Sequence, residues 1–390
     1  MDSNSSIDKY KFLDLLKDDY LYICIMSFQK AIIPIVCLIG TFGNLLSIIV
    51  LLGKVLRDKS CCVYLAAKCI ADTVFLVALF VVWLARVDVH LFNLHGVCQM
   101  VIFITYICGF LSVWCIVFIT LENYIRIAHF TRVPQLCKPD IARGVILAMC
   151  LVSVVIYNFP LWTAGSIQMN GTAKCVMLKE YVAINKGLTY MDTAVTLVLP
   201  SLVIITLLVA IIMNIYECYK KRKRLRRLGR HDAMVFLCDS PHSRVTKMLF
   251  AVSSVFILLH TPSHAIRIRL IIMFFLKADG LKIDEFRLQR VFELFYYANF
   301  SLNCFIYLCF GITFRHIFCS TYLKSCLSYK AKRKIHRHLK NIIQENQLEK
   351  KNGVTILYSN ETIWEKVTDN RESVNHIELS SVGEVQSASL

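Results

Sequence analysis

The chain has 390 residues, of which 56% are hydrophobic and 18% are charged. Soluble globular proteins are about 45–50% apolar and about 25% charged, so this composition argues against an ordinary cytosolic enzyme and excludes disorder for most of the chain. The net charge of +17 first suggests a nucleic-acid-binding protein, but the basic inner loops of a membrane protein account for it equally well.

The chain begins with a segment, residues 1–28, that we expect to lie outside the cell. Its first 19 residues are polar and slightly acidic, without the basic stretch and small-residue cleavage site of a signal peptide. A glycosylation sequon begins at Asn4, and it has meaning only on the extracellular side.

Seven continuous apolar stretches follow, each long enough to cross a bilayer as a helix of about 20 residues. Continuous rather than alternating hydrophobicity favours helices over the strands of a membrane barrel. We therefore expect an all-α membrane protein, a seven-transmembrane helix bundle within residues 29–319. The stretches lie near residues 29–52, 62–85, 97–126, 142–163, 189–218, 245–276 and 290–310.

Lysine and arginine are unequally distributed between the loops. With the N-terminus outside, the inner loops hold about twice as many of them as the outer loops, so the positive-inside rule predicts a cytosolic C-terminus. The most basic inner segment runs from Lys220 to Arg230 and is expected to face anionic lipid or a G protein. Nucleic acid is not expected as a partner, because this segment is tethered beside a span and lacks a binding fold.

The segment after the seventh span, residues 313–318, is typical of a short amphipathic helix lying on the membrane. Cys319 and Cys326 beside it are palmitoylation candidates, and two unmodified thiols are the open alternative. Residues 320–390 are predicted to form a disordered cytoplasmic tail. Serines among its glutamates are candidates for phosphorylation and arrestin recruitment.

Short motifs occur in a fixed order within the spans. These are Gly43-Asn44, Ala71-Asp72, Cys98, Glu122-Asn123-Tyr124, Pro160, Pro200, Phe256, His260-Thr261-Pro262, Asn299 and Asn303-Cys304-Phe305-Ile306-Tyr307. In this order and spacing they resemble the motifs of rhodopsin-like G-protein-coupled receptors, over roughly residues 30–320. The stretch from Tyr64 to Glu122 is most similar to the neuropeptide branch, such as receptors for FMRFamide-type peptides and for thyrotropin-releasing hormone.

The resemblance implies a cell-surface receptor for a neuropeptide that acts on heterotrimeric G proteins through a helix rearrangement. Catalysis is not expected, since no nucleophile–base–orienter set or metal-ligand spacing is evident. The altered switch motifs leave open a non-signalling scavenger or dimerisation partner. A transporter or channel is a third possibility, against which the lack of an evident internal repeat argues.

The second outer loop combines a disulfide and a turn signal. The family's disulfide would join Cys98 to Cys175, which the oxidising extracellular side permits. Asn170-Gly171 is a favoured two-residue turn between flanking segments of strand character, so we predict a β-hairpin. Asn170 also begins a second sequon on the outer side.

The resemblance further implies a sodium site, since oxygen ligands suit a hard cation. Two departures make sodium doubtful. Phe300 replaces a small hydroxyl residue, and Lys68 lies one turn from Asp72, where the family has leucine. Lys68 either neutralises Asp72 and disfavours sodium, or extends towards the cytosolic headgroups. The candidate ligands are Asp72, Ser112, Asn299 and Asn303.

The switch motifs depart from the family as well. Asn123 takes the position of the family's arginine and cannot carry its charge, while His260 and Cys304 replace a tryptophan and a proline. Arg126 either restrains Glu122 or belongs to the basic inner rim. Pro262 should still kink the sixth helix, so we expect altered basal activity or coupling rather than a lost fold. The predicted switch residues are Glu122, Asn123, Tyr124, Arg126, Phe256, His260, Pro262, Asn303 and Tyr307.

The outer half of the bundle is predicted to hold the ligand pocket. Thr105 stands where amine receptors carry aspartate, so an amine anchored there by a carboxylate is not expected. Arg267 either meets a carboxylate or amide oxygen of a peptide, or pairs with Glu293, or extends to the surface. The candidate lining residues are Gln99, Thr105, Tyr106, His264, Arg267, Glu293, Tyr296 and Tyr297.

Overall fold

The computed structural model describes residues 19–169, 172–227, 243–275 and 283–322, and helices dominate these ranges. Helix α5 consists of two α-helical parts joined by the π-helical segment Ala194–Val198, and α7 continues past a one-residue break. Apart from short helical turns in the loops, the helices are α1 (Tyr20–Leu51), α2 (Ser60–Leu84), α3 (Val97–Ala128), α4 (Pro139–Ile156), α5 (Val182–Thr193 and Leu199–Arg227), α6 (Ser243–Phe275), α7 (Ile283–Ser301 and Asn303–Phe310) and α8 (Ile312–Tyr322).

The chain divides into two compact units. The first, Met1–Glu217 with Arg244–Thr355, contains the helix bundle. The second comprises Cys218–Ser243 and Ile356–Leu390, and of this unit the structure describes the inner end of α5 and the first residue of α6. The features below lie in the first unit.

Five helices in the part of the chain that the structure describes, α1 to α5, are long and apolar enough to cross a membrane. The inner half of α7 and α8 are also apolar and meet at a bend of 109°, as a surface-lying eighth helix requires. Helix α6 has a shorter apolar stretch, Lys247–Ser263, and α7 begins with the charged residues Asp284 and Glu285. The seven predicted helices therefore all form, with more polar outer ends in the last two.

Helix bounds differ from the predicted spans at both ends of the bundle. Helix α1 begins at Tyr20 rather than near residue 29, because the Asp19 side chain accepts a hydrogen bond from the Leu21 amide and caps the helix. Asp19 also pairs with Arg287 of α7 at 2.6 Å, and this guanidinium holds the pKa of the Asp19 carboxyl below its usual value. At the other end, α8 extends to Tyr322, whose hydroxyl donates to the Leu46 carbonyl of α1.

Prolines determine where the helices start and deform. Pro139 occupies the first turn of α4, where its missing N–H costs nothing. Pro200 cannot donate within α5, and the turn before it opens so that the Leu199 amide bonds to the Ala194 carbonyl, five residues back. Pro262 lies inside α6, as expected.

The second outer loop forms the predicted β-hairpin. Strands β1 (Ala164–Met169) and β2 (Thr172–Met177) pair antiparallel with Met169 opposite Thr172, which leaves a two-residue turn. Asn170 and Gly171 themselves lie outside the described residues. The disulfide implied by the resemblance is present, with 5.7 Å between the Cα atoms of Cys98 and Cys175.

The core of the first unit forms where α2 packs between α1, α3 and α7. On α1, Gly40 lies directly against α7. A Cβ atom placed there would lie 2.5 Å from the Ser301 Cβ and 2.8 Å from its Cα, so this helix pair depends on a missing side chain. One layer deeper, the Phe75 and Phe300 rings stack with centroids 3.9 Å apart.

We expect Gly40→Ala to destabilise the protein by about 1–3 kcal/mol, because the added methyl group meets backbone that cannot yield locally. Thermal unfolding of the purified protein measures the effect. Gly144→Ala is the matched control, since a Cβ there has nothing within 4 Å and alanine favours a helix by about 1 kcal/mol over glycine. Equal melting temperatures for Gly40→Ala and the wild type would contradict the close approach of α1 and α7.

Candidate functional site

The middle of the bundle contains a buried polar network that joins three helices. Lys68 and Asp72 of α2 are 1% and 0% exposed, and the Lys68 ammonium donates to the Asp72 carboxylate. The ammonium also donates to Asn303 Oδ1 of α7 at 2.9 Å, while Asn303 Nδ2 lies 2.5 Å from the same Asp72 oxygen. Asn44 of α1 completes the network through Asn303, at 3.0 Å, and through the Phe300 carbonyl, at 2.9 Å.

This geometry decides between the two roles considered for Lys68. A side chain that extended to the cytosolic headgroups would be exposed at its tip, whereas the Lys68 side chain is buried along its length and paired with Asp72. Helical spacing of four residues places the two side chains on one face, which is why the pair forms. Lys68 therefore neutralises Asp72.

The same contacts test whether sodium fits the candidate ligands. The ammonium occupies one Asp72 oxygen and the Asn303 side-chain oxygen, two of the donors that a hard cation would need. Ser112 and Asn299 are also buried nearby, but Phe300 fills its position with a ring stacked on Phe75. The Lys68 ammonium therefore takes two of the oxygens that sodium would need, while Asp72 Oδ1 and the Ser112 hydroxyl make no hydrogen bond within the described residues.

The inner end of α3 carries the altered switch motif. Arg126 contacts the Glu122 carboxylate at 3.4 Å and donates to Ser60 of α2 at 3.2 Å, so it restrains Glu122 and links the two helices. Asn123 is fully buried, and neither atom of its amide makes a hydrogen bond within the part of the chain that the structure describes. The Tyr124 ring packs edge-on against His129.

Helices α3 and α6 are joined by a hydroxyl pair, Thr120 and Ser253, whose oxygens lie 2.6 Å apart in a fully buried position. Each hydroxyl also approaches its own helix, at the carbonyls of Ile116 and Leu249. The two hydroxyls have only two protons for these three contacts. One hydroxyl therefore donates to the other across the helices instead of to the carbonyl of its own helix. We call Thr120 and Ser253 the α3–α6 clasp.

Aromatic residues connect the middle of α6 to α7. The His260 ring lies 4.0 Å from Phe256 and 5.1 Å from Tyr296 between ring centroids, so histidine fills this position by ring packing. Further in, Tyr307 is fully buried, contacts the Cys69 sulfur at 3.7 Å and packs edge-on against Phe314 of α8. Phe256 and His260 thus share one aromatic cluster with Tyr296, whereas Tyr307 packs against α2 and α8.

The predicted pocket residues fall into two groups. Tyr106, Tyr296 and Tyr297 belong to aromatic clusters facing the bundle interior, and the Tyr296 hydroxyl crosses to within 3.6 Å of a Cβ built on Gly109 of α3. The others have local partners: Gln99 accepts from the Gly96 amide, Thr105 donates to Val101, and Glu293 pairs with Arg290. The side chains of His264 and Arg267 lie outside the described part.

Sequence reasoning missed several partners in these clusters. Ser60, Thr120 and Ser253 have no sequence signal, because serine and threonine are common in membrane helices and only the fold brings them together. Asp192 of α5 had a signal that could have been used, since an ionisable residue within a membrane span is a functional candidate by default.

Comparisons with known proteins agree with this geometry. Residues 43–307 match the family model described as 7 transmembrane receptor (rhodopsin family). Rat somatostatin receptor type 4 is 26% identical over 127 residues, which is 33% of either chain. Human somatostatin receptor type 3 is 24% identical over 241 residues, 60% of this chain and 54% of that protein, and rat type 1 is 23% identical over 148 residues, 38% of each. The chain thus spans between a third and about half of these curated relatives.

We expect the wild-type protein to be equally stable in sodium chloride and choline chloride, because Lys68 already supplies the cation. Lys68→Met leaves Asp72 unpaired and should cost about 3–5 kcal/mol in choline chloride. Sodium at about ten times its dissociation constant should then restore about 1.4 kcal/mol.

Thermal unfolding in the two salts measures this difference. The double variant Lys68→Met/Asp72→Asn is the control, since without the carboxylate sodium has no anchor and should have no effect. Sodium-specific stabilisation of the wild type would show that the ammonium does not replace the ion.

We expect the α3–α6 clasp to contribute about 0.5–1.5 kcal/mol, the usual value of one buried hydrogen bond. A double-mutant cycle of Thr120→Val and Ser253→Ala, read by thermal unfolding, isolates this coupling. Thr73→Val is the matched control, because the Thr73 hydroxyl donates to the Cys69 carbonyl of its own helix, α2. Strict additivity of the two clasp variants would mean that the hydroxyls do not interact.

Proposed function

This chain belongs to the rhodopsin family of 7 transmembrane receptors, and on that premise we propose that it is a cell-surface receptor that binds a peptide outside the cell and activates a heterotrimeric G protein inside it. The observation that carries this proposal is the family match, which includes the buried network, the switch helices and the hairpin loop. Because the matched family is one of receptors, the match gives no support to an enzymatic role.

A peptide is the proposed ligand for two reasons. The relatives that the chain resembles are named as somatostatin receptors, and their names indicate a peptide hormone. The β-hairpin, held at Cys175 by the disulfide and at Ser166 by the Asn93 carbonyl, forms a structured outer loop of the kind the resemblance predicts for peptide receptors. Tyr106, Tyr296 and Tyr297 are the proposed contacts deeper in the bundle.

The proposed orientation follows the basic loops, with the N-terminus outside and the C-terminus in the cytosol of a multi-pass plasma-membrane protein. Asn4 and Asn170 would then be extracellular glycosylation sites, although both lie outside the described residues. Cys319 on α8 is half-buried and is proposed as a palmitoylation site. Cys326 and the serine-containing tail, the proposed arrestin-binding segment, also lie outside the described part.

One observation favours a second function, that of a non-signalling receptor. The buried Asn123 amide cannot supply the charge that the family's arginine carries at the inner end of α3. Arg126 retains a guanidinium one turn nearer the cytosol, but it is engaged with Glu122 and Ser60. A receptor of this kind would bind its peptide without activating a G protein.

We expect a neuropeptide library applied to cells that express the full chain to yield at least one peptide that gives a G-protein response. Parallel G-protein and arrestin readouts measure the two outputs. The response should be lost in Cys98→Ala/Cys175→Ala protein that still reaches the surface, because the hairpin is no longer fixed to α3.

The result that separates the two functions is peptide binding without a G-protein response. In that case Asn123→Arg should restore coupling if the missing charge is the cause. Failure of the whole library to bind, with the protein present at the surface, would contradict both functions as peptide receptors.

A further inference from the structure

The outer half of α5 carries two buried polar side chains that belong neither to the buried network nor to the switch residues. Asn185 is 3% exposed and Asp192 is 8% exposed. They are seven residues apart, close to two helical turns, so they lie on one face of α5 about 10 Å apart along its axis. Because both are buried, this face is directed into the protein. We call Asn185 and Asp192 the α5 polar strip.

The Asn185 amide has hydrogen-bonding groups to offer. Both its Nδ2 and its Oδ1 are buried, and neither makes a hydrogen bond to any part of the chain that the structure describes. Native proteins rarely leave such groups without partners, because each has lost its hydrogen bonds to water. An amide presents one acceptor and two donors, which match the N–H and C=O of a peptide bond. Asn185 therefore has the chemistry to bind a peptide backbone.

Asp192 adds a carboxylate beside an aromatic wall. The Thr196 hydroxyl lies 3.4 Å from Asp192 Oδ1, and the buried Tyr157 side chain at the end of α4 interacts with the carboxylate. The Tyr157 ring stacks on Tyr106 of α3, with ring centroids 5.5 Å apart. A carboxylate in such surroundings attracts a cation more strongly than in water, and ring faces add a cation–π contribution.

We propose that the α5 polar strip binds a basic segment of the peptide ligand, with a lysine or arginine side chain at Asp192 and a more distant peptide bond of the same segment at Asn185. This subsite rests on the proposed function as a peptide receptor. An extended peptide advances about 3.3 Å per residue, so about three residues bridge the strip. The carboxylate that amine receptors carry at the position of Thr105 on α3 is thus supplied by α5.

A mixture of amidated hexapeptides tests this subsite without a known ligand. The peptides are built from alanine, leucine, serine, glutamine, lysine and glutamate, and peptides captured by the purified full-length receptor in nanodiscs are identified by mass spectrometry. The wild type should enrich lysine-containing peptides about tenfold over their glutamine counterparts, the effect of one charge-assisted contact. Asp192→Asn should abolish this ratio, and Asp192→Lys should shift enrichment to glutamate.

Two variants separate a local effect from a general one. Asp284→Asn removes an exposed carboxylate at the outer end of α7 and should leave the lysine-to-glutamine ratio unchanged. Asn185→Leu should lower total capture without changing the ratio, because it affects the backbone contact alone. Thermal unfolding checks that each variant is folded.

If Asp192→Asn does not fold, Asp192→Glu keeps the charge and lengthens the side chain by one methylene. In a mixture that also contains ornithine peptides, it should then prefer ornithine over lysine, the reverse of the wild type. A lysine preference that survives Asp192→Asn, or a length preference unchanged in Asp192→Glu, would overturn the subsite. Capture of peptides without any charge preference would also overturn it while leaving the peptide-receptor function intact, whereas capture of no peptide would overturn both.

Discussion

A charge inside a helix bundle has to be matched within the bundle, because neither lipid nor the protein interior solvates it. The Lys68–Asp72 pair meets this requirement, and much of the packing depends on it. Asn303 hydrogen-bonds to both partners, and Asn44 accepts a hydrogen bond from Asn303. Asn44 also donates to the carbonyl of Phe300, and the Phe300 ring stacks on Phe75. Three helices, α1, α2 and α7, are therefore joined through one neutralised charge.

The contacts between helices differ in strength, and this difference bears on which helix can move. Separating α2 from α7 would break the hydrogen bonds that Asn303 makes with Lys68 and Asp72, and a hydrogen bond to a charged group contributes about 1.5–3 kcal/mol. Helix α6 contacts α3 through the α3–α6 clasp, a hydroxyl bond of about 0.5–1.5 kcal/mol, and through the apolar packing of Phe256. A ligand has to supply only its differential affinity for the two states to shift such an equilibrium.

The sequence was sufficient to predict the seven helices, the hairpin and the helix that follows the seventh span. Hydropathy predicts long apolar helices, and the Asn170-Gly171 pair is a favoured two-residue turn that predicts the hairpin. Helix bounds were harder, because Asp19 extends α1 by capping and pairing with Arg287, a residue distant in sequence. The α3–α6 clasp could not be predicted for the same reason. Threonine and serine are common residues, and only the fold brings Thr120 and Ser253 together. The role of Lys68 could be reduced to two alternatives by its spacing from Asp72, and burial decided between them.

The departures from the family's motifs have a common physical character, in that charge is displaced along a helix or supplied from a neighbouring position. A guanidinium is absent at Asn123 but present one turn later at Arg126, where it reaches Glu122 and Ser60. The positive charge beside Asp72 is the ammonium of Lys68, one turn away on the same helix. Electrostatic stabilisation falls slowly with distance, whereas hydrogen-bond geometry is lost within a few tenths of an ångström. Displaced charges can therefore preserve the stability of the bundle while changing which contacts must break when it switches. This explains how a chain with an altered switch motif retains the fold of its family.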